Sequence, residues 1–479
     1  MFRNSSQITK TINILCCFLC ALGSGSSYVY SAYGPQLGQR LNFNHTEVNI
    51  IGSFGNSGTY FTAPFWGFII DKLGIKIPLW VSSSFLFIGY FGIHSFYAQY
   101  LTTNHNLFFI SVLSILVGMG GSGALLSALN ATARSFTDKS RATASGIVLA
   151  GFGLSAFFYS FIAHEAFPGS TDDFLLALAI GTSVSILSGA IGIKVIPSKS
   201  KKDPENHNEE QDPLVNDQID SSENIIASDK NPLSIISTVD FWILFLTMSL
   251  LSGTGLMWIN NVGNVIQALF AYHHPHFDPI EVEQAQTKQV SLLSLNNCFG
   301  RILIGLTSDV MRRRYNIDRS FWLCVISISF IISQIVAQSI ENPAHIGWAT
   351  SLIGLSYGSL FAMGPVITLE IWGLESFSSN WGILSLAPAI AGPILNILFG
   401  RVFDSHSATN DEVDFYSKNE GMLNIPISST TCLQGRQCYA FVLHLTTLAC
   451  FGALILSIFG TLRRKNNSPI FKQSDERSD

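Results

Sequence analysis

Arg301 is a lone arginine within a long apolar stretch of this 479-residue chain, eight residues before Asp309. If the stretch is a helix across a bilayer, Arg301 lies about 12 Å deeper than Asp309, at about 1.5 Å per residue. A charge at that depth costs roughly 2.5 kcal/mol or more, so the guanidinium should face a cavity or a partner. Two roles stay open. The planar guanidinium could bind the carboxylate of a small anion, or it could reach toward the interface or pair with a carboxylate of another helix.

Amides and hydroxyls in the same and other apolar stretches could complete a polar cavity. Asn297 stands one helical turn before Arg301, and Asn260 and Asn261 are adjacent amides that need hydrogen-bond partners. Helical spacing also groups polar side chains on one face of two further helices. These faces are Ser24, Tyr28 and Ser31 in one helix and Thr254, Trp258 and Asn261 in the other. The serines could instead serve only close helix packing, with the tyrosine at the membrane interface. We predict these solute contacts: Tyr28, Thr254, Trp258, Asn260, Asn261, Asn297 and Arg301.

A Gly-x-x-x-Asp element occurs twice, at Gly67 and Asp71 and again at Gly305 and Asp309, with the same offset of 305 − 67 = 238 residues. Each copy closes an apolar run and leads into basic residues. A glycine near a helix end lets another helix approach closely, and a carboxylate there can pair with basic groups or with a helix N-terminus. If such contacts break and re-form, they bias one conformation over another. The alternative is that Asp and Lys only mark the membrane interface.

The composition is that of a membrane protein, since only 12% of the residues are charged, against about 25% in soluble domains. A bilayer core of about 30 Å needs about 20 apolar residues per helix. We predict an all-α protein with spans near 11–33, 48–70, 78–98, 107–130, 143–163, 174–195, 240–262, 287–308, 320–340, 345–369, 380–400 and 441–461. No Asp or Glu lies deep in any of them, so coupling to protons stays open.

The distribution of basic residues predicts that both termini are cytosolic. In that orientation 21 of the 27 Lys and Arg lie on the cytosolic side, five lie opposite, and Arg301 lies within a span. A cleaved signal peptide at the N-terminus would remove the first span and invert every later loop, against this count.

An acidic, polar linker over 196–239 separates six spans in 1–195 from six in 240–461, and a tail follows over 462–479. Its low hydrophobicity predicts disorder. Glu209, Glu210, Leu214 and Val215 resemble an acidic dileucine sorting signal, which adaptor complexes read.

Two cysteines, Cys432 and Cys438, share the last non-cytosolic loop and could form a local disulfide if that side is oxidising. Asn44 begins a formal glycosylation sequon so close to the second span that we expect it to be unoccupied.

The repeated element resembles the loop signature of the major facilitator superfamily, Gly-x-x-x-Asp-(Arg/Lys)-x-Gly-(Arg/Lys)-(Arg/Lys). Gly67, Asp71, Lys72, Gly74 and Lys76 match it. Ile75 departs from it in the first copy, and Val310 departs in the second. The resemblance implies twelve helices in two pseudo-symmetric six-helix bundles that alternate between two facing states. It also implies a gating network of Gly67, Asp71, Gly74, Arg134, Arg141, Gly305 and Asp309.

Three further segments, 53–58, 141–155 and 251–264, resemble the fungal vacuolar group of transporters named as monocarboxylate transporter homologues. That resemblance implies the vacuolar membrane, with the plasma membrane as the alternative. Monocarboxylate transporters themselves carry an Asp one turn before the arginine of the eighth span, where this chain has Asn297. Their acidic first-span signature is absent as well, so the resemblance does not imply proton symport of monocarboxylates.

The sequence thus predicts a secondary transporter of a small solute, with an organic anion as one candidate, working by alternating access within a lipid bilayer. A non-transporting nutrient sensor on the same fold is the alternative. An enzyme is not expected, since no nucleophile motif, metal-ligand spacing or His/Asp/Glu cluster gathers on one face. We expect no cofactor, metal or nucleic-acid partner.

Overall fold

A computed structural model describes residues 2–43, 45–101, 103, 105–167, 170–194, 232–273, 279–406 and 432–467. Within these ranges the chain is helical and has no strands. The first half contains α1 (Phe2–Ser24), α2 (Gly34–Leu41), α3 (His45–Phe61), α4 (Ala63–Leu73), α5 (Lys76–Tyr97), α6 (Asn106–Ser135), α7 (Asp138–Ala166) and α8 (Thr171–Gly192). The second half contains α9 (Val239–His273), α10 (Pro279–Tyr315), α11 (Phe321–Ser339), α12 (Ile346–Trp372), α13 (Phe377–Leu384), α14 (Leu386–Asp404) and α15 (Ala440–Asn467). A 3₁₀ helix, Gly25–Ala32, continues α1.

Eleven helical segments of the described chain are long and apolar enough to cross a membrane. The remaining predicted span, 48–70, is present as two helices, α3 and α4, which meet at Thr62. Each of them alone is too short to cross a bilayer. Pro64 lacks the N–H that a continuous helix would need there, and the Thr62 hydroxyl donates to the Gly58 carbonyl at 2.6 Å. The structure therefore confirms the predicted membrane fold.

Each half forms its own helix bundle. In the first half, α1 packs on α6, α7 and α8, while α5 packs on α6 and α8. In the second half, α9 packs on α14 and α15, while α12 packs on α10 and α11.

The two halves meet along two main interfaces, α4 with α13 and α7 with α10. We name the ends of the bundle by their residues. The Asp71–Asp309 end holds those two carboxylates, and the disulfide end holds Cys432 and Cys438, which are bonded with an S–S distance of 2.00 Å. The predicted sorting residues Glu209, Glu210, Leu214 and Val215, and the sequon residue Asn44, lie outside the described residues.

Candidate functional site

Asp71 joins α4 to the first turn of α13 at one interface between the halves. Its carboxylate accepts the backbone N–H groups of Ser378 at 3.2 Å and Ser379 at 2.7 Å. First-turn N–H groups have no partner within their own helix, and the helix dipole favours a negative charge there. A Cβ on Gly67 would lie 2.2 Å from the Ser378 carbonyl oxygen, so only glycine permits this approach. Gly74, at φ 78°, ends α4 in the left-handed region.

Side chains from α6 complete this interface. Asn130 donates to the Ser378 hydroxyl at 2.6 Å and to Asp71 at 3.4 Å. Arg134 donates to the Asn130 amide oxygen at 2.9 Å, so it reaches Asp71 through a neutral amide. Arg141 donates instead to the Ala133 and Phe136 carbonyls at the end of α6, at 3.1 and 3.2 Å.

Asp309 makes the corresponding connection between α10 and α7. It accepts the Thr143 N–H at 2.7 Å and the Thr143 hydroxyl at 2.6 Å. A Cβ on Gly305 would lie 2.6 Å from the Ala142 carbonyl oxygen. The two copies of the sequence element thus perform the same task, each holding a helix of the opposite half.

Asp309 differs from Asp71 because Arg319 joins it in a buried ion network. Its guanidinium lies 2.8 Å from Asp309 and 2.6 Å from Glu370, and the Arg319 and Asp309 side chains are fully buried. The sequence reasoning missed Arg319. The one sequence signal is that Val310 stands where a basic residue is expected after Asp309, while Arg319 follows ten residues later.

Arg301 lies between the halves, deeper than Asp309, with only 3% of its surface exposed. Its Nη1 donates to the Leu149 carbonyl of α7 at 2.6 Å, and its Nε donates to the Asn297 side chain at 2.9 Å. The guanidinium carbon lies 5.4 Å from the centre of the Phe152 ring. Arg301 therefore bridges α10 to α7 through neutral partners.

Two cavities meet at Arg301 and share Tyr28, Phe152 and Tyr357 with it. The larger, about 320 Å³, extends toward the disulfide end and is also lined by Asn56, Asn260, Ser294 and Asn297. The smaller, about 60 Å³, extends toward the Asp71–Asp309 end and is lined mainly by apolar residues, with Tyr60 among them. The Tyr28 and Tyr60 hydroxyls lie 2.8 Å apart. A layer of one guanidinium and aromatic side chains thus separates a wide polar space from a narrow apolar one.

The structure brings together four of the seven residues predicted to contact a solute: Tyr28, Asn260, Asn297 and Arg301. It places the other three against neighbouring helices. Asn261 donates to Asn396 of α14 at 2.8 Å, and Trp258 donates to Thr350 of α12 at 3.3 Å. Thr254 lies 3.8 Å from the Cys450 sulfur of α15.

Tyr60, Phe152 and Tyr357 line the cavities and were not predicted. The available signal for the two tyrosines is position, since each lies well inside an apolar span, away from the interfaces where tyrosine is enriched. Among the described residues, no group of three or more His, Cys, Asp or Glu is arranged to hold a metal ion.

Comparisons with known proteins agree with this architecture. The family model of the Major Facilitator Superfamily matches residues 14–404. Two similar relatives are named "Probable transporter MCH1". The one from Wickerhamomyces anomalus is 25% identical, with 84% of this chain and 81% of the relative covered. The one from Saccharomyces cerevisiae is 24% identical, with 84% and 86% covered.

A solved structure of similar fold is the superfamily transporter FucP in its outward conformation. It has a TM-score of 0.60 and 13% identity, and the match covers 93% of this chain and 97% of that one. The family model spans most of the chain, and the curated relatives span a similar share. The chain belongs to the Major Facilitator Superfamily, the fold and family that its repeated Gly-x-x-x-Asp element predicted.

Proposed function

We propose that this chain is a secondary transporter that moves a small organic anion by alternating access, with Arg301 as the anion-binding group. The observation that carries the proposal is the buried position of Arg301 between two cavities, held by the neutral groups of Asn297 and Leu149. A guanidinium has five N–H donors in a planar fork that matches a carboxylate. The residue therefore has the chemistry to bind an anion at the contact between the halves.

The surroundings of Arg301 suit a small solute with polar groups. The larger cavity, about 320 Å³, is at the small end of the range of about 300–1,000 Å³ for ligand pockets. Amides of Asn56, Asn260 and Asn297 and the Tyr28 hydroxyl face it and can donate or accept hydrogen bonds. The Phe152 ring and Tyr357 supply apolar contact.

The closed interfaces support alternating access. For a solute to leave toward the Asp71–Asp309 end, α4 must separate from α13 and α7 from α10. That motion breaks the hydrogen bonds from Ser379 to Asp71 and from Thr143 to Asp309. Gly67 and Gly305 let the same interfaces close tightly again. These contacts support a gating role for Gly67, Asp71, Gly305 and Asp309, in which they set the relative stability of the two facing states.

We further propose that the protein lies in the vacuolar membrane with both termini cytosolic. The excess of basic residues on that side supports the orientation. The resemblance of segments 53–58, 141–155 and 251–264 to the fungal vacuolar group supports the location.

Binding and flux of purified protein test the anion proposal. We expect carboxylates such as pyruvate, glycolate, succinate and malate to raise the thermal midpoint more than their neutral amides do. Arg301→Gln should lower carboxylate affinity by about 30-fold or more, since breaking a buried hydrogen-bonded charge pair costs about 2–5 kcal/mol.

Arg401→Gln is the matched control, because Arg401 is an exposed arginine of α14. It should leave carboxylate binding unchanged. An equal loss of binding for carboxylates and amides in Arg301→Gln would contradict anion recognition, and no flux of any solute in vesicles would contradict transport.

A further inference from the structure

The charge of the cavities is set by a single residue. Among the described residues that line the two cavities, Arg301 is the only charged one; the others are amides, hydroxyls, aromatic rings and aliphatic side chains. The pair of cavities therefore carries one positive charge. An isolated buried cation is costly, and a nearby anion offsets that cost.

Asn297 occupies the place where a carboxylate would balance this charge. Its amide oxygen accepts from Arg301 Nε at 2.9 Å, one helical turn away on the same helix. An aspartate would be nearly isosteric there and would add one negative charge. Asp309, the next carboxylate along α10, is engaged at the far end of the interface by Thr143 and Arg319. The amide orients the guanidinium and leaves its charge in place.

We propose that the transported anion itself supplies the missing negative charge, so that the protein exchanges monovalent organic anions without a coupled proton. This inference rests on the proposed function of the same site. With a monovalent anion bound, the site is neutral. When empty, it holds a guanidinium whose described hydrogen-bond partners, Asn297 and Leu149, are both neutral. A divalent anion would leave one uncompensated negative charge.

Exchange is favoured because Arg301 changes its contacts when the protein changes its facing state. The Arg301–Leu149 hydrogen bond crosses from α10 to α7, so the change of facing state breaks it. At the midpoint, both cavities are closed to bulk water, and an uncompensated cation is least stable there. A bound anion lowers this barrier by pairing with the guanidinium. The loaded protein should therefore change state faster than the empty one.

A proton gives no comparable relief, because protonation adds a positive charge to a site that already has one. A proton-coupled carrier needs a group that gains and loses the proton near the solute. The described lining of the two cavities contains no Asp, Glu or His, the residue types that relay protons within membranes. A pH gradient should consequently give little driving force.

The direct test compares exchange with net uptake in vesicles that contain purified wild-type protein. Radiolabelled pyruvate and glycolate are the outside probes, and the vesicles contain either the unlabelled anion or none, with the membrane potential clamped. We expect exchange to be about tenfold faster than net uptake or more, which corresponds to a barrier about 1.4 kcal/mol lower for the loaded protein. An imposed pH gradient should change the initial rate less than about twofold once probe ionisation is corrected.

Two variants at one position separate charge from geometry. Asn297→Asp should lower the affinity for pyruvate about tenfold or more, because the new carboxylate competes for Arg301. It should also bring the rates of exchange and net uptake together. Asn297→Ala removes the same contact and adds no charge, so it should keep the preference for exchange. If the aspartate variant does not fold, the wild-type comparison still decides.

The outcomes distinguish this inference from the function on which it rests. Pyruvate accumulation driven by a pH gradient, or net uptake as fast as exchange, would overturn anion exchange while Arg301-dependent flux preserved the proposed function. Failure of wild-type protein to move or bind either anion would remove both.

Discussion

The α4–α13 and α7–α10 interfaces use the same backbone arrangement and differ in the charges they carry. In each, an aspartate accepts at least one backbone N–H of the opposite half, and a glycine one turn earlier allows close contact. The neighbouring positions diverge. Asp71 is joined by the neutral amide of Asn130, whereas Asp309 is joined by Arg319, which also binds Glu370.

The divergence extends to the centre of the molecule. Arg301 and Ala63 occupy equivalent positions, since 301 − 63 equals the 238-residue offset of the two elements. At both positions a glycine of the opposite half approaches closely: a Cβ on Gly146 would lie 2.5 Å from the Arg301 carbonyl, and a Cβ on Gly382 2.5 Å from that of Ala63. The same frame therefore carries a guanidinium in one interface and a methyl group in the other.

This difference suggests a division of labour between the interfaces. The α7–α10 interface contains both the proposed anion-binding arginine and a buried ion network, eight residues apart on one helix. In the α4–α13 interface, the described partners of Asp71 are backbone N–H groups and the Asn130 amide, and Arg134 contacts that amide rather than the carboxylate. We infer that the solute acts on the α7–α10 interface first, and that the α4–α13 interface follows as the halves move.

Removal of Arg319 should have the largest effect on the comparison. Arg319→Ala leaves the buried Asp309 and the partly buried Glu370 without this cation, and removing one partner of a buried ion pair typically costs about 3–5 kcal/mol. The control is Arg436→Ala, whose 3.4 Å pair with Glu341 is exposed at the surface, where such a pair is worth about 0–1 kcal/mol. Thermal unfolding in detergent measures both. Equal midpoints for the two variants would show that the charged network adds no stability.

Widening either close contact should have the next largest effect. Gly67→Val and Gly305→Val each place side-chain atoms against backbone of the other half, and overpacking typically costs about 1–3 kcal/mol. We expect each to raise the labelling of a cysteine introduced at Ser378 by a membrane-impermeant maleimide about fivefold or more, since 1 kcal/mol already shifts an equilibrium about fivefold.

Gly181→Val is the matched control for these wedges, because nothing lies within 4 Å of a Cβ at Gly181. In Gly181→Val, the cysteine introduced at Ser378 should be labelled to the same extent as in the protein without a wedge. If only one of the two wedges increased labelling, the interfaces would open independently, and the inference that one interface follows the other would be wrong.

The sequence alone predicted two kinds of feature: elements that repeat along the chain, and residues whose burial costs energy. The offset of Gly67 and Asp71 from Gly305 and Asp309 predicted two equivalent elements, and the cost of a charge in an apolar stretch predicted a cavity or partner at Arg301. Both follow from local patterns and from the bilayer, so they need no knowledge of which helices touch.

The remaining features depend on contacts between helices distant in the chain. Thr254, Trp258 and Asn261 do share a helical side, as their spacing indicates. Spacing does not tell which neighbours that side meets, and here they are α12, α14 and α15. Arg319, between α10 and α11, and Glu370, on α12, are 51 residues apart and come together because α12 packs on both α10 and α11. Helix rotation is fixed by packing, which a single sequence does not display.

The smallest expected effect sharpens the comparison most, because it tests whether the α4–α13 interface requires an uncharged side chain beside Asp71. Asn130→Ala removes hydrogen bonds to the Ser378 hydroxyl and to Asp71 and the one accepted from Arg134. A hydrogen bond contributes about 0.5–1.5 kcal/mol between neutral groups and about 1.5–3 kcal/mol where one group is charged, but no buried ion pair is broken. The thermal midpoint should therefore fall by less than in Arg319→Ala. Asn130→Asp keeps the size of the side chain and an oxygen for Arg134, but it turns the hydrogen bond to Asp71 into a contact between two carboxylates. We expect this repulsion to exceed the gain from Arg134 and to lower the midpoint further than the alanine change does. If the aspartate variant matched the alanine variant, charge at this position would be unimportant, and the two interfaces would differ in composition without differing in role.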